Sequence, residues 1–293
     1  MLGFEFMWAN AVKPRETIMQ DARFIAAHQL HCRYAAVADG AGGMGVFVDK
    51  WAQKLVNALP DMPFATPAHL ADWLLPIAID FFETHEPEAE QKKLTELFWD
   101  EGSAATLCAL WLNYAEQERT LATYCIYGDS PCMRYQPNIG QLMMPPHLSR
   151  LSDFSGRTNL LNWSAYHQFK PDCCHIHSFE PVAGEIILLA SDALAQLVLT
   201  RYLLSQPDKP ECVSQLQQAA AASGLHRQLI AANQKADLPD FENWLHNLLQ
   251  TLTPPNQTES PLFKELLYDY YQQGLIDDDD YTLIAIHAVA PVV

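Results

Sequence analysis

Ala35-Ala36-Val37-Ala38-Asp39-Gly40-Ala41-Gly42-Gly43 is an apolar run that stops at an aspartate and a glycine-rich turn. Tyr34 to Ala38 predicts a short buried strand, and the glycines after Asp39 allow the backbone to turn tightly there. The same arrangement recurs along the chain. Asp129 follows the apolar run Leu121 to Tyr127, and Asp192 follows Ile186 to Ser191. Asp279 stands just before Thr282 to Ile286, and Asp21 just before Ala22 to Ala27. One aspartate at a strand end usually does no more than make a turn. Five of them, at successive strand ends, give a sheet the means to converge several carboxylates on one point.

Working outward, Leu2 to Val12 predicts an opening strand, and Ala22 to Ala27 and Tyr34 to Ala38 predict two strands joined by a turn at His28 to Cys32. Val46 to Leu59 predicts an amphipathic helix, with Val48, Ala52, Leu55, Val56 and Leu59 on one face. Pro60, Pro63 and Pro67 interrupt the chain. His69 to Glu83 predicts a second helix, with a further helical region at Pro87 to Phe98. Ala104 to Leu112, Leu121 to Ile126 and Met133 to Gln136 predict a meander of strands. Pro145 to Asp172 reads as an irregular surface loop. Glu185 to Ala190 predicts a buried strand, and Tyr281 to Val289 the last one. Between them, Leu194 to about Tyr271 has helical periodicity broken by prolines. There are no alternating strand-helix units, so antiparallel sheets covered by helices are favoured over a parallel doubly wound sheet.

The chain has 293 residues, of which 49% are hydrophobic and 18% charged, enough for a sizeable core. With 18 Lys and Arg against 35 Asp and Glu, the formal net charge is −17. That balance argues against nucleic acid and against an anionic membrane surface as partners. It suits a protein that gathers acidic groups around cations. Hard divalent ions such as Mn²⁺ and Mg²⁺ prefer oxygen ligands. Seven scattered cysteines read as reduced thiols in a cytoplasmic protein. No signal peptide and no membrane span is expected from the sequence.

The neighbours of the aspartates carry a family resemblance. Ala36 to Gly43 resembles the VADGMGG segment of the type 2C protein phosphatases, the metal-dependent Ser/Thr family. Met19-Gln20-Asp21-Ala22 resembles its N-E-D or N-Q-D element, and Gly102 to Leu107 stands where the family has a G-T-T strand start. Tyr127-Gly128-Asp129-Ser130 resembles V-G-D-S, Leu188 to Leu194 resembles LLxSDGL, and Asp279-Asp280-Tyr281-Thr282-Leu283 resembles D-[ND]-x-T. These six elements occur in family order from Met19 to Ile286.

The resemblance implies an α+β fold, a four-layer α-β-β-α sandwich of two antiparallel sheets flanked by helices. It implies a single phosphatase domain over residues 1–293, with a helical flap-like insert at about 194–271. Two Mn²⁺ or Mg²⁺ ions are implied, with a third, weaker site in some members. Asp39 would bridge both ions, the Gly40 carbonyl would complete one, and Asp192 and Asp279 would hold the other. Gln20 and Asp21 would orient the attacking water, and Asp129 would lie near the third site. The implied activity is hydrolysis of phosphoserine and phosphothreonine in proteins, with a phosphorylated protein and a cognate kinase as partners.

Several positions depart from the family pattern. Glu16 stands where the family has a phosphate-binding Arg, with Arg15 one residue away as the candidate replacement. Arg is favoured at such a position because its fork matches phosphate bidentately. Gln20 replaces a Glu, Ala193 a Gly and Pro131 an Arg. Position 41 is Ala, where animal members carry a His and bacterial members do not. The departures at Glu16, Gln20 and Pro131 motivate a competing reading, a pseudophosphatase acting as a binding module, and a third, a phosphatase for small phosphoesters. A zinc site at Cys173-Cys174-His175-Ile176-His177 is disfavoured, because adjacent cysteines chelate one tetrahedral ion poorly. The apolar stripe Trp244, Leu245, Leu248 and Leu249 is expected to pack in a core rather than form a lid.

Overall fold

The computed structural model describes residues 2–14, 16, 18–26, 32–114, 120–155, 158–164, 169–257 and 260–290. In chain order its strands are β1 (Gly3–Ala11), β2 (Ala22–Ala26), β3 (Cys32–Ala38), β4 (Gly40–Gly45), β5 (Ser103–Ala105), β6 (Leu107–Tyr114), β7 (Thr120–Tyr127), β8 (Cys132–Gln136), β9 (Gln141–Met143), β10 (Leu161–Asn162), β11 (Cys174–Phe179), β12 (Ile186–Ala190) and β13 (Tyr281–Val289). The helices are α1 (Val48–Asn57), α2 (Pro67–Gln91), α3 (Thr95–Glu101), α4 (Asp192–Leu204), α5 (Pro210–Ala222), α6 (Gly224–Lys235), α7 (Phe241–Leu249) and α8 (Pro261–Gln272). The chain is α+β, with antiparallel sheets and helices packed on them. Its contacts divide it into two compact units.

The first unit comprises Ile18–Ser130 and Thr158–Pro181. It holds a five-stranded antiparallel sheet in the order β11-β7-β6-β3-β2 and a small sheet β10-β5-β4. Helix α1 lies against β2, β3 and β6 and buries Trp51, Ala52, Leu55 and Val56. Trp51 also donates its indole N–H to the Leu161 carbonyl at 2.8 Å, so a large apolar body is buried without orphaning its polar atom. The glycine-rich segment expected to be only a turn forms β4, paired with β5 through an irregular register between Gly40 and Gly45. Backbone groups there still need partners, and β5 supplies them.

Helix α2 departs most from expectation. It runs for 25 residues through Pro76 and Pro87, joining the helix expected at His69 to Glu83 to the first part of the region expected at Pro87 to Phe98, the rest of which belongs to α3. A helix-interior proline costs roughly 3 kcal/mol. Against that, α2 keeps one buried stripe through both prolines, formed by Leu70, Leu74, Ile77, Phe81 and Ala89. Each of its leucine, isoleucine and phenylalanine side chains, fully buried, is worth roughly 1.5–3 kcal/mol. Thr66 caps the first turn by accepting from the His69 N–H, and Pro67 occupies the first turn, where a missing N–H costs nothing.

The second unit comprises Leu2–Thr17, Pro131–Arg157 and Val182–Val293. Its antiparallel sheet has the order β1-β13-β12-β8-β9. Strand β13 is paired on both sides, with Ile284 opposite Trp8 on β1 and Leu189 on β12. Being central, it is buried along nearly its whole length, which explains its near-continuous apolar sequence. Helix α4, buried along most of its length, contacts β13. The helical segment that follows packs its own interior. Trp244, Leu245, Leu248 and Leu249 are buried, and the Trp244 indole donates to the Tyr270 hydroxyl at 3.0 Å. The stripe is therefore core.

The segment Pro145 to Asp172, expected as a surface loop, instead contains short 3₁₀ turns and strand β10. Leu148, Leu151, Phe154 and Leu161 are buried within it. The turn expected at His28 to Cys32 lies mostly outside the described residues. Among the described residues, no helix is long and apolar enough to cross a membrane.

Candidate metal centre

In the first unit, three acidic segments sit at strand ends. Asp21 is buried immediately before β2. Asp39 is half-buried immediately after β3, and its backbone is fixed from both directions by one residue. The Asp39 N–H donates to the Thr106 hydroxyl at 3.0 Å, and the Thr106 N–H donates to the Asp39 carbonyl at 2.8 Å. The Thr106 hydroxyl also lies 2.7 Å from that of Ser130, beside Asp129. Gly40 is needed for close approach. A Cβ there would stand 2.5 Å from the Gln20 carbonyl oxygen and 3.1 Å from that of Val48. Gln20 and Asp21 are thereby held beside Asp39 and Gly40.

Asp129 follows Gly128, whose φ of +107° suits glycine and whose Cβ would stand 2.7 Å from the Thr106 methyl. Burial raises the Asp129 carboxyl above the usual carboxylate range, and a hydrogen bond from Thr158 works in the opposite direction. Thr106 therefore touches both segments that carry Asp39 and Asp129.

In the second unit, Ser191 draws two acidic segments together. Its N–H donates to the Thr282 carbonyl at 3.1 Å. Its hydroxyl accepts from the Thr282 N–H at 3.0 Å and donates to the Asp280 carbonyl at 3.3 Å. Asp192, the first residue of α4, is thus placed beside the start of β13, where Asp279 and Asp280 lie. The Gln196 amide donates to the Asp192 carboxylate at 3.3 Å. Asp279 accepts the Asp280 N–H at 2.8 Å. Burial raises its carboxyl to about 6, although that hydrogen bond and the Lys13 charge pull it down.

Lys13 sets a cation beside these carboxylates. Its N–H donates to the Asp280 carboxylate at 2.8 Å, and its ammonium pairs with Glu16 at 3.2 Å. Burial works against that ammonium, yet Glu16, Asp279 and Asp280 raise its pKa above the ordinary value. Arg15, the candidate phosphate ligand, lies outside the described residues. Sequence reasoning gave no role to Lys13, Thr106 or Ser130. The one available signal was a threonine set among small apolar residues at Ala104-Ala105-Thr106-Leu107.

Among the described residues, no three His, Cys, Asp or Glu side chains are already gathered around one point that would hold an ion. The donor chemistry nevertheless fits a hard divalent cation. The donors are carboxylates and a backbone carbonyl. Gly40 leaves the main chain uncovered, and Asp129 and Asp279 carry carboxyl groups that burial alone makes costly to ionise.

No model of a known family and no curated protein matches the chain. Solved structures do. A serine/threonine phosphatase from S. agalactiae matches with a TM-score of 0.50 and 13% identity, over 98% of this chain and 100% of that one. A bacterial serine phosphatase matches with a TM-score of 0.50 and 12% identity, over 99% of this chain and 100% of that one. The fold is that of the type 2C phosphatases. The catalytic domain of the phosphatase PstP, solved with two manganese ions, matches with a TM-score of 0.48 and 14% identity, over 99% of this chain and 100% of that one. Within the type 2C fold, the segment Cys174 to His177 belongs to strand β11, with side chains alternating between its faces.

Proposed function

We propose that this chain is a metal-dependent phosphatase that hydrolyses phosphoserine and phosphothreonine in proteins. One observation carries the reading: each acidic element of the type 2C pattern lies at a strand end. Asp39 follows β3, Asp129 follows β7, Asp192 follows β12 and Asp279 precedes β13. A likeness of fold alone does not require carboxylates at those ends.

In this reading, residues 1–293 form one phosphatase domain. Asp39, the Gly40 carbonyl, Asp192 and Asp279 would hold two Mn²⁺ or Mg²⁺ ions, and Asp129 would belong to a third, weaker site. When bound, the ions neutralise charge on the phosphoryl group and make water nucleophilic near neutral pH. The chain's own residues do the rest. Thr106 fixes the Asp39 backbone, so that its carboxylate is presented in one orientation. Ser191 does the same for the Asp192 and Asp279 segments. Asp21 and Gln20 orient the attacking water by hydrogen bonding, and Arg15 grips the substrate phosphate. Position 41 is Ala, so no imidazole is offered there and the leaving oxygen takes its proton from water. The partners are a phosphorylated protein and the kinase that modifies it.

Purified protein is assayed on a phosphothreonine peptide with Mn²⁺, then after EDTA, then with Mn²⁺ restored. Activity should vanish on chelation and return with metal. Activity that survives thorough chelation would overturn the reading. Arg15→Ala tests the phosphate grip: the loss of one charge-assisted contact of ~1.5–3 kcal/mol lowers kcat/KM by about 10- to 150-fold. If Arg15→Ala behaves as wild type, Arg15 has no such role. The competing reading, a pseudophosphatase that binds without turnover, is favoured by Glu16, which stands where the resemblance puts an arginine and whose carboxylate pairs with Lys13 at 3.2 Å. It predicts phosphopeptide binding with no release of phosphate under any metal.

A further inference from the structure

Strands β7 and β11 are neighbours in the first unit, and β11 is the edge of its sheet. Their register pairs Cys125 with Ile176 and Cys174 with Tyr127. Cys125 and Cys174 are therefore diagonal across the strand pair, at positions of equal parity, and their side chains project from the same face. Their sulfurs lie 3.8 Å apart in an S–H···S hydrogen bond. Of the other thiols, Cys108 is excluded by parity. It is paired with the strand position next to Cys125, Ile126, and so projects from the opposite face. Cys173 lies before β11, at the end of a 3₁₀ turn, and is only partly buried. Both Cys125 and Cys174 are free and buried, Cys125 completely and Cys174 at 8% exposure.

We propose that Cys125 and Cys174 are an oxidative modification site, a thiol pair closed to a disulfide by a peroxide. The two sulfurs already touch, and a disulfide needs them at about 2.05 Å. Closing the gap requires a small movement, and β11, held on one side only, is the strand free to make it. The two thiols are not equivalent. The hydrogen bond between them lowers the Cys174 thiol below its ordinary pKa, while the same bond and burial push Cys125 up. Cys174 is the sulfur that a peroxide meets first, because it alone of the two has exposed surface, and its lowered pKa acts in the same direction. Its sulfur attacks one peroxide oxygen, the O–O bond breaks, and a sulfenic acid forms with release of one water. The Cys125 sulfur then attacks the Cys174 sulfur, the S–O bond breaks, and a second water leaves. Two thiols and one hydrogen peroxide give one disulfide and two waters. The product joins the edge strand covalently to β7, the strand that leads through Gly128 to Asp129.

The folded protein is exposed to a few equivalents of hydrogen peroxide, the peroxide is removed, and the protein is unfolded in denaturant that contains N-ethylmaleimide, so that buried thiols are also capped. It is then digested without reductant for mass mapping. The expected result is a linked pair of peptides containing Cys125 and Cys174, lighter by ~2 Da than the two thiol peptides together and separated again by dithiothreitol. Cys173→Ser should leave that linkage intact. Cys125→Ala should stop the reaction at a sulfenic acid on Cys174, captured by dimedone. The proposal is overturned if both thiols remain alkylated by maleimide at all peroxide levels below those that unfold the protein. It is equally overturned if the linkage found is Cys173 to Cys174.

Discussion

Thr106 has no charge, yet segments bearing two proposed metal ligands meet on it. Its hydroxyl accepts from the Asp39 N–H and contacts the Ser130 hydroxyl. Thr106→Val keeps the shape but leaves a donor without its acceptor, a cost of ~1–3 kcal/mol when buried. A matching fall in denaturant midpoint is expected, together with weaker Mn²⁺ binding by calorimetry. Thr106→Ser, which retains the hydroxyl, should recover most of both; equal damage in the two variants would show that the methyl group matters instead. Gly40→Ala tests a different contact. Its Cβ would collide with backbone oxygen at 2.5 Å, and backbone cannot swing aside. Overpacking of this kind typically costs ~1–3 kcal/mol, and a wild-type melting temperature in Gly40→Ala would refute the close approach. These two residues also mark how far the sequence could be read. Asp39 and Gly40 are legible because carboxylates and clustered glycines are rare in an apolar run. Thr106 and Ser130 are not, because a buried hydroxyl looks like any strand residue until its partner, 24 positions away for this pair, is known.

At the scale of the elements, legibility followed the strength of the local pattern. Strand β13 runs from Tyr281 to Val289, as the apolar run indicates, because a central strand buried on both faces leaves a long continuous signal. Strands β4 and β9 left little signal: one is mostly glycine, the other is three residues long. Helix α2 was legible as a helical region, but its ends were not: it starts at Pro67 and stops at Gln91, inside the stretch expected to be helical as far as Phe98, because where a helix ends is set by local turns that an apolar stripe does not mark. Near its C-terminal end, α2 carries a charge cluster with a pH signature. Glu88 is paired with Lys50, and with Lys92 at 2.8 Å, beside His85. Hydrogen bonds from Lys50 and then Lys92 hold the Glu88 carboxyl down at about 2, from an ordinary 4.5. A depressed acid stabilises the fold above its unfolded pKa, and that contribution is lost as pH falls from about 4.5 toward 2. Burial, and then the Lys50 charge, also lower His85, so its neutral form is favoured in the folded state. That contribution fades once pH drops below the ordinary value of 6.5. Melting curves of wild type and Glu88→Gln should therefore differ at pH 7 and converge near pH 2. A gap that stays constant across this range would mean that the Glu88 charge adds nothing.

For the molecule as a whole, the net charge of −17 sets up a test of metal binding that needs no turnover. An ion that binds only the folded state stabilises it by about 2.7 kcal/mol at a concentration 100 times its dissociation constant. For a chain of this size, taken at about 2–4 °C per kcal/mol, Mn²⁺ should raise the melting temperature by about 5–10 °C. Any salt will also help an acidic protein by screening its self-repulsion, so a rise with Mn²⁺ is not sufficient alone. NaCl at matched ionic strength measures the screening part. Asp39→Asn measures the specific part, because it removes the charge proposed to bridge the ions. Without metal, the variant should be at least as stable as wild type, since acidic groups gathered at strand ends repel one another. With Mn²⁺ it should lose most of the shift, and phosphatase activity should fall by at least ~10²-fold, the upper end of what losing even an outer-sphere partner costs. A shift of equal size in NaCl, or in Asp39→Asn, would mean that the carboxylates at the strand ends do not form an ion site, and the phosphatase reading would lose the chemistry on which it depends.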